Sequence, residues 1–462
     1  MSLMKNPFHV MIIPTLGCPG QCKYCWSSDV NSPKMTLKIA EAIVRWLEPL
    51  RDQRVTFTFH GGEPLLAGAE FYRAVLPLIA SRLAHLSPEF AMQTNLWLMT
   101  DELAEILAAY QVPLGSSIDG PETLTNYQRG DDYFARTMAG YRIATAHGLL
   151  VRFICTFTNS SVAQKEEIVR FFREQGWVMK LHPALPSLKG DNPNEWTLSP
   201  EEYGELLVYL LDEALLHADE FEIMNINDLC RCVFTQSGSV CTYADCMGTT
   251  FAVGPDGAIY PCYRFVGMPG WVMGMVFDAP SIDELMASPA GQRMLAFRDH
   301  VDTACRSCAH IAYCRGGCPY NALAGTSEQV EGVDPHCTAY KRIFDEITSR
   351  TLYLGAHDGV LALASTCRYQ HERLAACPIG HEPIDIEERT LAHVESFLDD
   401  DEVGNLDMRH GKRSDLLRTL TVARIDIDAR GRGVRVHAGT TWVGRVDDDG
   451  KTYGQFVAAW QP

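Results

Sequence analysis

Short apolar runs and helix-spaced apolar stretches alternate along the first half of the chain. His9-Val10-Met11-Ile12-Ile13-Pro14 is an apolar run of the kind that forms a short buried strand. From about Leu37 to Leu50 the apolar residues recur at helical spacing. Val55-Thr56-Phe57-Thr58-Phe59 then alternates like a strand. Further strands are predicted at Phe90–Asn95, Leu114–Gly120, Val151–Thr158 and Trp177–Leu185, with helical segments near 101–109, 133–147, 161–175 and 199–217. Six strands alternating with helices imply a parallel sheet with right-handed crossovers. The predicted class is α/β, a partial (β/α)6 TIM-like barrel over about residues 8–220. In barrels of this type the active site lies at the C-terminal ends of the strands.

Candidate chemistry sits at those ends. After the first strand come Cys18, Cys22 and Cys25, spaced Cys-x3-Cys-x2-Cys, with Tyr24 before the last. Three thiolates this close can hold three irons of a [4Fe–4S] cube and leave the fourth iron open. A closed electron-transfer cluster takes four cysteines, and an open metal position is where chemistry is done. A zinc knuckle is the alternative at this point. After the second strand comes Gly61-Gly62-Glu63-Pro64. Two glycines at a strand end let the backbone approach a ligand, and Glu63 can accept from an ammonium group.

The chain has 16 cysteines. Eight form a second pattern, Cys241, Cys246, Cys262, Cys305, Cys308, Cys314, Cys318 and Cys337. Zinc and disulfides are the rival accounts of this group. Disulfides are disfavoured: Met1 to Asn6 leads straight into the first strand, so no signal peptide is expected. A chain of 462 residues can bury a core without staples. Cys155 falls in a buried-strand pattern. Cys230 and Cys232 read as free buried cysteines near the second group.

Together these residues resemble the radical S-adenosylmethionine (SAM) enzymes, and the second group resembles their SPASM extension. The likeness covers about residues 8–345. It implies that Cys18, Cys22 and Cys25 ligate the radical cluster, whose open iron takes the amino and carboxylate groups of SAM. It implies SAM contacts from Tyr24, Gly61, Gly62, Glu63, Pro64, Asn95, Ser117 and Arg129. It implies two auxiliary [4Fe–4S] clusters, one on Cys241, Cys246, Cys262 and Cys318, the other on Cys305, Cys308, Cys314 and Cys337. The cofactors expected are therefore three [4Fe–4S] clusters and SAM. In the family the reduced cluster cleaves SAM to a 5′-deoxyadenosyl radical, which abstracts hydrogen from the substrate. A flavodoxin- or ferredoxin-type one-electron reductant and a cytoplasmic location are expected with it.

The resemblance also implies a peptide or protein substrate, with modification by cross-link, thioether or epimerisation of a ribosomal peptide. Formylglycine formation on a sulfatase and small-molecule dehydrogenation are the alternatives. In the sulfatase-maturing branch an aspartate base follows the third cysteine of the first auxiliary set. Here that position is Tyr263, and a neutral phenol with a pKa near ~10 is a poor base. Few residues precede the first strand, so no N-terminal peptide-recognition domain is expected.

Composition excludes some partners. The net charge is −18, against the basic footprint of a nucleic-acid binder. No apolar run reaches membrane-spanning length. The expected domains are the barrel (8–220), a SPASM domain (221–350) and an appendage of unknown role (351–462). The appendage has a helix near 382–398, an acidic linker at 398–402 and strands from about Leu417, with a hairpin turn at Asp-Asp-Asp-Gly, 447–450.

Overall fold

The computed structural model describes residues 8–349 apart from 26, 28–29, 52, 186–187, 189–194, 218–220, 236, 239–240 and 325–331. Beyond these it describes only the strand residues 352–353, 361–362, 424–427, 434–437, 440–446 and 452–458. The expected helix near 382–398 and the linker at 398–402 lie outside the described residues, as do Cys367 and Cys377.

The first half alternates strand and helix as the periodicity predicts. The elements run β1 Phe8–Thr15, α1 Leu37–Leu47, β2 Val55–Gly61, α2 Ala69–Arg82, β3 Glu89–Gln93, α3 Asp101–Ala109 and β4 Leu114–Ser117. They continue with α4 Glu122–Arg129, α5 Tyr133–Ala146, β5 Val151–Phe157, α6 Lys165–Glu174, β6 Met179–Pro183, α7 Pro200–Leu216 and α8 Met224–Thr235. Strands β1 to β6 are all parallel, each paired with its sequence neighbour. Several strands stop short of their apolar runs, so Thr94, Asn95 and Asp119 fall in the loops at the C-terminal ends.

One pairing extends the sheet beyond the barrel. Strand β7 (Thr250–Val253) joins β1 in parallel, and β8 (Ala258–Tyr260) and β9 (Gly274–Met275) follow it antiparallel. The sheet therefore has nine strands in the order β6-β5-β4-β3-β2-β1-β7-β8-β9. The second cysteine group is thus carried on a continuation of the barrel sheet. Strand β6 is its other edge. Asn225 of α8 clamps that edge, accepting from the Leu181 amide at 2.6 Å and donating to its carbonyl at 3.0 Å. An edge covered in this way does not offer its free groups to another chain.

The alternation of side chains sorts the strands into two faces. Val55, Phe57 and Phe59 of β2, Phe153, Cys155 and Phe157 of β5, and Met179 and Leu181 of β6 are buried in the core beneath the helices. Each fully buried side chain of this size contributes roughly 1.5–3 kcal/mol. The intervening residues, among them Thr58, His60, Gln93, Ser117, Lys180 and His182, face the barrel interior and are only partly buried or exposed. The interior is therefore an accessible polar space. Helix α7 starts on a capping box, Ser199 with Glu202, and the helix Cys337–Ser349 packs along it. That contact returns the end of the second cysteine region to the barrel.

Strands are present where the appendage was expected to be β-rich. Arg424–Ile427 pairs with Val434–His437, and Thr440–Val446 pairs with Thr452–Ala458, both antiparallel.

Candidate active site and cysteine centres

The loop after β1 carries the first three cysteines, and the end of β2 presses against it. The Gly62 amide donates to the Thr15 carbonyl at 3.0 Å, and the Glu63 amide to the Gly17 carbonyl at 2.8 Å. A Cβ on Gly62 would fall against the carbonyl oxygens of Gly17 and Leu16, and Gly61 has φ +119°. Only glycine fits such a close approach and such a backbone angle. The two glycines join the two motifs directly, and Pro64 then opens a short 3-10 turn.

Within the loop, the Gly20 amide donates to Cys18 Sγ at 3.3 Å, and the Ser27 amide to Cys25 Sγ at 3.4 Å. Asn95 Nδ2 stands 3.8 Å from Cys18 Sγ, and Arg129 Nη1 3.9 Å from Cys22 Sγ. Both these sulfurs border the bare face of Gly20. Burial pushes the Cys18 and Cys22 thiols up to about 12. Neighbouring thiols raise both further, and the Arg129 guanidinium partly offsets the rise at Cys22. As free thiols they are neutral, whereas a bound cationic centre deprotonates coordinating thiols outright. Three converging thiols with N–H donors at each sulfur are the donor set that a thiolate-held cluster uses. The residues fit an iron–sulfur cube.

Glu63 is fully buried. Its Oε1 accepts from the Leu65 amide at 2.9 Å and the Thr94 hydroxyl at 2.7 Å, and its Oε2 accepts from the Asn95 amide at 2.8 Å. Burial pushes its carboxyl up to about 7 despite these bonds. Glu63 thus ties the ends of β2 and β3 together, with a lone pair left on Oε2. Ser117 Oγ accepts from Gln93 Nε2 at 3.3 Å inside the barrel.

Arg129 is buried rather than on the surface. Its Nε and Nη2 donate to Asp119 at 2.8 and 2.7 Å. Asp119 also accepts from the Tyr24 hydroxyl at 2.9 Å, Gln128 Nε2 at 2.8 Å and the Thr156 amide at 2.8 Å. Sequence reasoning named Tyr24 and Arg129 and missed the carboxylate that joins them. The available signal was an acid at the C-terminal end of a barrel strand.

The second cysteine group separates in space into two sets. Cys241, Cys262 and Cys318 each act electrostatically on Cys246, and burial raises all four thiols. Cys308 and Cys337 likewise act on both Cys305 and Cys314. Asp334, fully buried, lies between the sets. It accepts from the Cys318 amide at 3.0 Å, Asn321 Nδ2 at 2.7 Å, the Tyr340 hydroxyl at 3.1 Å and the His336 amide at 3.0 Å, next to Cys337. Arg264 donates to Asn321 at 2.6 Å and lies over the Tyr320 ring at 3.7 Å. Tyr263 stacks on His60, ring centroids 4.2 Å apart. It lies within electrostatic reach of Cys262, Cys241 and Cys25, between the radical-site loop and the first of the two sets. Cys155, Cys230 and Cys232 are buried.

Comparison with known proteins agrees with this geometry. Residues 12–172 match the radical SAM superfamily, and residues 241–309 match the SPASM iron–sulfur cluster-binding domain. An uncharacterized protein of Methanothermobacter thermautotrophicus is 56% identical over 231 residues, 50% of this chain and 88% of that one. The cysteine-type anaerobic sulfatase-maturating enzyme of Clostridium perfringens (strain 13) is 24% identical, covering 73% of this chain and 96% of the enzyme. The structure of native anSMEcpe with bound AdoMet and Cp18Cys peptide superposes with a TM-score of 0.66 at 23% identity, covering 74% of this chain and 97% of that one. No described helix is long and apolar enough to cross a membrane. The chain is an enzyme of the radical SAM superfamily with a SPASM domain, homologous to the anaerobic sulfatase-maturating enzymes.

Proposed function

We propose that this enzyme modifies a peptide by hydrogen abstraction, forming a cross-link, a thioether or an epimerised residue. The observation that carries the reading is the accessible polar interior beside Tyr263, on which the exposed Cys25 and Cys241 both act electrostatically. A substrate segment there lies between the two cysteine centres. When bound, SAM and the cluster on Cys18, Cys22 and Cys25 supply a 5′-deoxyadenosyl radical. The chain's own residues do the placing. Glu63 Oε2 and the Gly61-Gly62 backbone receive the SAM ammonium. Arg129 Nη1 would meet its carboxylate, and Tyr24, Asn95 and Ser117 would bound the rest of the molecule. Cys241, Cys246, Cys262 and Cys318, and Cys305, Cys308, Cys314 and Cys337, hold one auxiliary cluster each, giving three clusters in all. With four thiolates per auxiliary cluster, these centres carry electrons and leave no iron open. A flavodoxin- or ferredoxin-type protein of the cytoplasm is the electron donor in this reading.

The relatives favour a second reading, formylglycine formation on a sulfatase. Against it stands Tyr263, whose hydroxyl burial holds well above its ordinary value. It is no base at neutral pH. The test is mass spectrometry of peptides encoded beside the gene, after anaerobic incubation with SAM and dithionite. Loss of two hydrogens, or unchanged mass with deuterium uptake from solvent, supports peptide modification. An aldehyde formed on a sulfatase-derived cysteine or serine peptide, with the neighbouring peptides untouched, supports the second reading.

A further inference from the structure

The chain is strongly acidic, yet among the described strand residues the charged or imidazole side chains facing the working end of the barrel interior are basic. On the inward face of β6 stand Lys180 and His182, and on that of β2 stands His60. The assignment follows from register: Met179 and Leu181 of β6, and Phe57 and Phe59 of β2, are buried on the opposite face. The one carboxylate in register with the inward face is Glu89. It lies at the far, N-terminal end of β3, exposed and paired with Arg54.

The carboxylates nearer to Lys180 already have partners. Asp119 is enclosed by its own donors, and Glu63 is assigned above to the SAM ammonium. Asp228 of α8 pairs with Arg231 at 3.4 Å, and Glu222 accepts from Asn227 at 3.3 Å. Among the described residues no hydrogen bond or ion pair fixes the Lys180 ammonium. Two histidines stand within its field. The Gly61 amide donates to His60 Nδ1 at 2.7 Å, which leaves the His60 proton on Nε2. That ring is stacked on Tyr263 and presents an N–H donor. His182 is exposed to the interior. Burial lowers the partly buried His60 ring to about 4, so at neutral pH it is uncharged. The array is one ammonium flanked by two imidazoles, with the Arg231-paired Asp228 also within the ammonium's field. That suits a single carboxylate better than a polyanion.

We propose that Lys180, with His60 and His182, binds a carboxylate of the substrate, so that the enzyme selects peptides with an acidic side chain near the site of hydrogen abstraction. This rests on the peptide-modifying reading above and adds the substrate's chemical class to it. The competing role for Lys180 is to offset the charge of the first auxiliary centre, since it also acts on Cys241. Arg264 already acts on all of Cys241, Cys262 and Cys318.

The test uses two sets of synthetic octapeptides, identical except that a single glutamate in one set is glutamine in the other. They are titrated anaerobically into the reconstituted full-length protein with SAM present, alongside free glutarate. The glutamate set should bind at least 10-fold more tightly. Lys180→Gln should remove that preference, and Lys180→Arg should keep it. Iron content and melting temperature serve as controls for folding. Equal affinity for the two sets in the wild type overturns the proposal. So does a preference that persists in Lys180→Gln, whatever that variant does to the reduction potential of the auxiliary centres. If neither peptide set binds but glutarate binds in a Lys180-dependent way, the carboxylate site stands and the peptide reading fails. If neither the peptides nor glutarate bind, the proposal fails.

Discussion

Arg129 and Asp119 form a buried two-point ion pair, Nε to Oδ2 at 2.8 Å and Nη2 to Oδ1 at 2.7 Å. The same carboxylate receives the hydroxyl of Tyr24, which lies between Cys22 and Cys25. One buried acid therefore sets both the arginine and the tyrosine of the radical-site loop. It also leaves only Nη1 of Arg129 facing Cys22.

This pair predicts an asymmetry between single and double substitution. Asp119→Asn leaves a buried guanidinium uncompensated and should cost about 3–5 kcal/mol of stability. Replacing both members, Asp119→Asn with Arg129→Met, should recover much of that loss, because the unpaired charge is gone while the asparagine oxygen remains an acceptor for the neighbouring donors. Anaerobic urea denaturation of the three proteins measures it. Equal losses in the single and double variants would contradict the role of the pair.

Gly62→Ala should remove iron from the radical site and leave the second cysteine group loaded. The added methyl meets backbone carbonyls of Leu16 and Gly17, which cannot rotate away. Iron analysis with electron paramagnetic resonance of the reduced protein reads the outcome. Full iron content in the variant would show that the loop adjusts at little cost.

Glu63→Gln should weaken SAM binding by about 1–1.5 kcal/mol, the difference between a charge-assisted bond and a neutral one. Glu63→Ala should also lower stability, because the Leu65 and Asn95 amides and the Thr94 hydroxyl lose their shared acceptor. Each donor orphaned in the interior costs about 1–3 kcal/mol. Calorimetry separates the two effects. SAM affinity unchanged in Glu63→Gln would remove Glu63 from the ammonium site.

Acid should destabilise the fold through the inward-facing His60. Burial lowers the His60 ring to about 4, below its ordinary value of 6.5. Between those values the unfolded chain binds more protons, so stability falls as pH drops from about 6.5 toward 4. The melting temperature should decline over that window, and the variant His60→Gln should flatten the decline. An unaltered pH profile in the variant would place the acid sensitivity elsewhere.

The strand and helix pattern of the barrel was legible because its strands are apolar on the helix-covered face and its helices keep a buried stripe. Helix α2 is harder to read. It buries Phe71, Tyr72, Val75, Leu76 and Ile79 but carries Pro77 within it, which reads as a breaker. The three cysteines of the radical-site loop stood out because their short spacing carries its own geometry, whereas the division of the second group came only from the family resemblance. Asp119 was not legible, since its partners Tyr24, Gln128, Arg129 and Thr156 come from three separate stretches of chain. The pairing of β7 with β1 was also hidden, because strand neighbours so far apart in sequence leave no local trace. The basic interior is visible only once the register shows which way Lys180 and His182 point.

The central claim is that Cys18, Cys22 and Cys25 hold the SAM-cleaving cluster, distinct from the clusters of the second cysteine group. The direct measurement compares the reconstituted wild type with the Cys18→Ala/Cys22→Ala/Cys25→Ala variant for iron content and for 5′-deoxyadenosine formed from SAM under dithionite. The account predicts about twelve irons per chain in the wild type and about eight in the variant, as four-iron clusters require, with 5′-deoxyadenosine formation abolished. SAM cleavage that survives in the variant, or an iron content that does not fall, would contradict it.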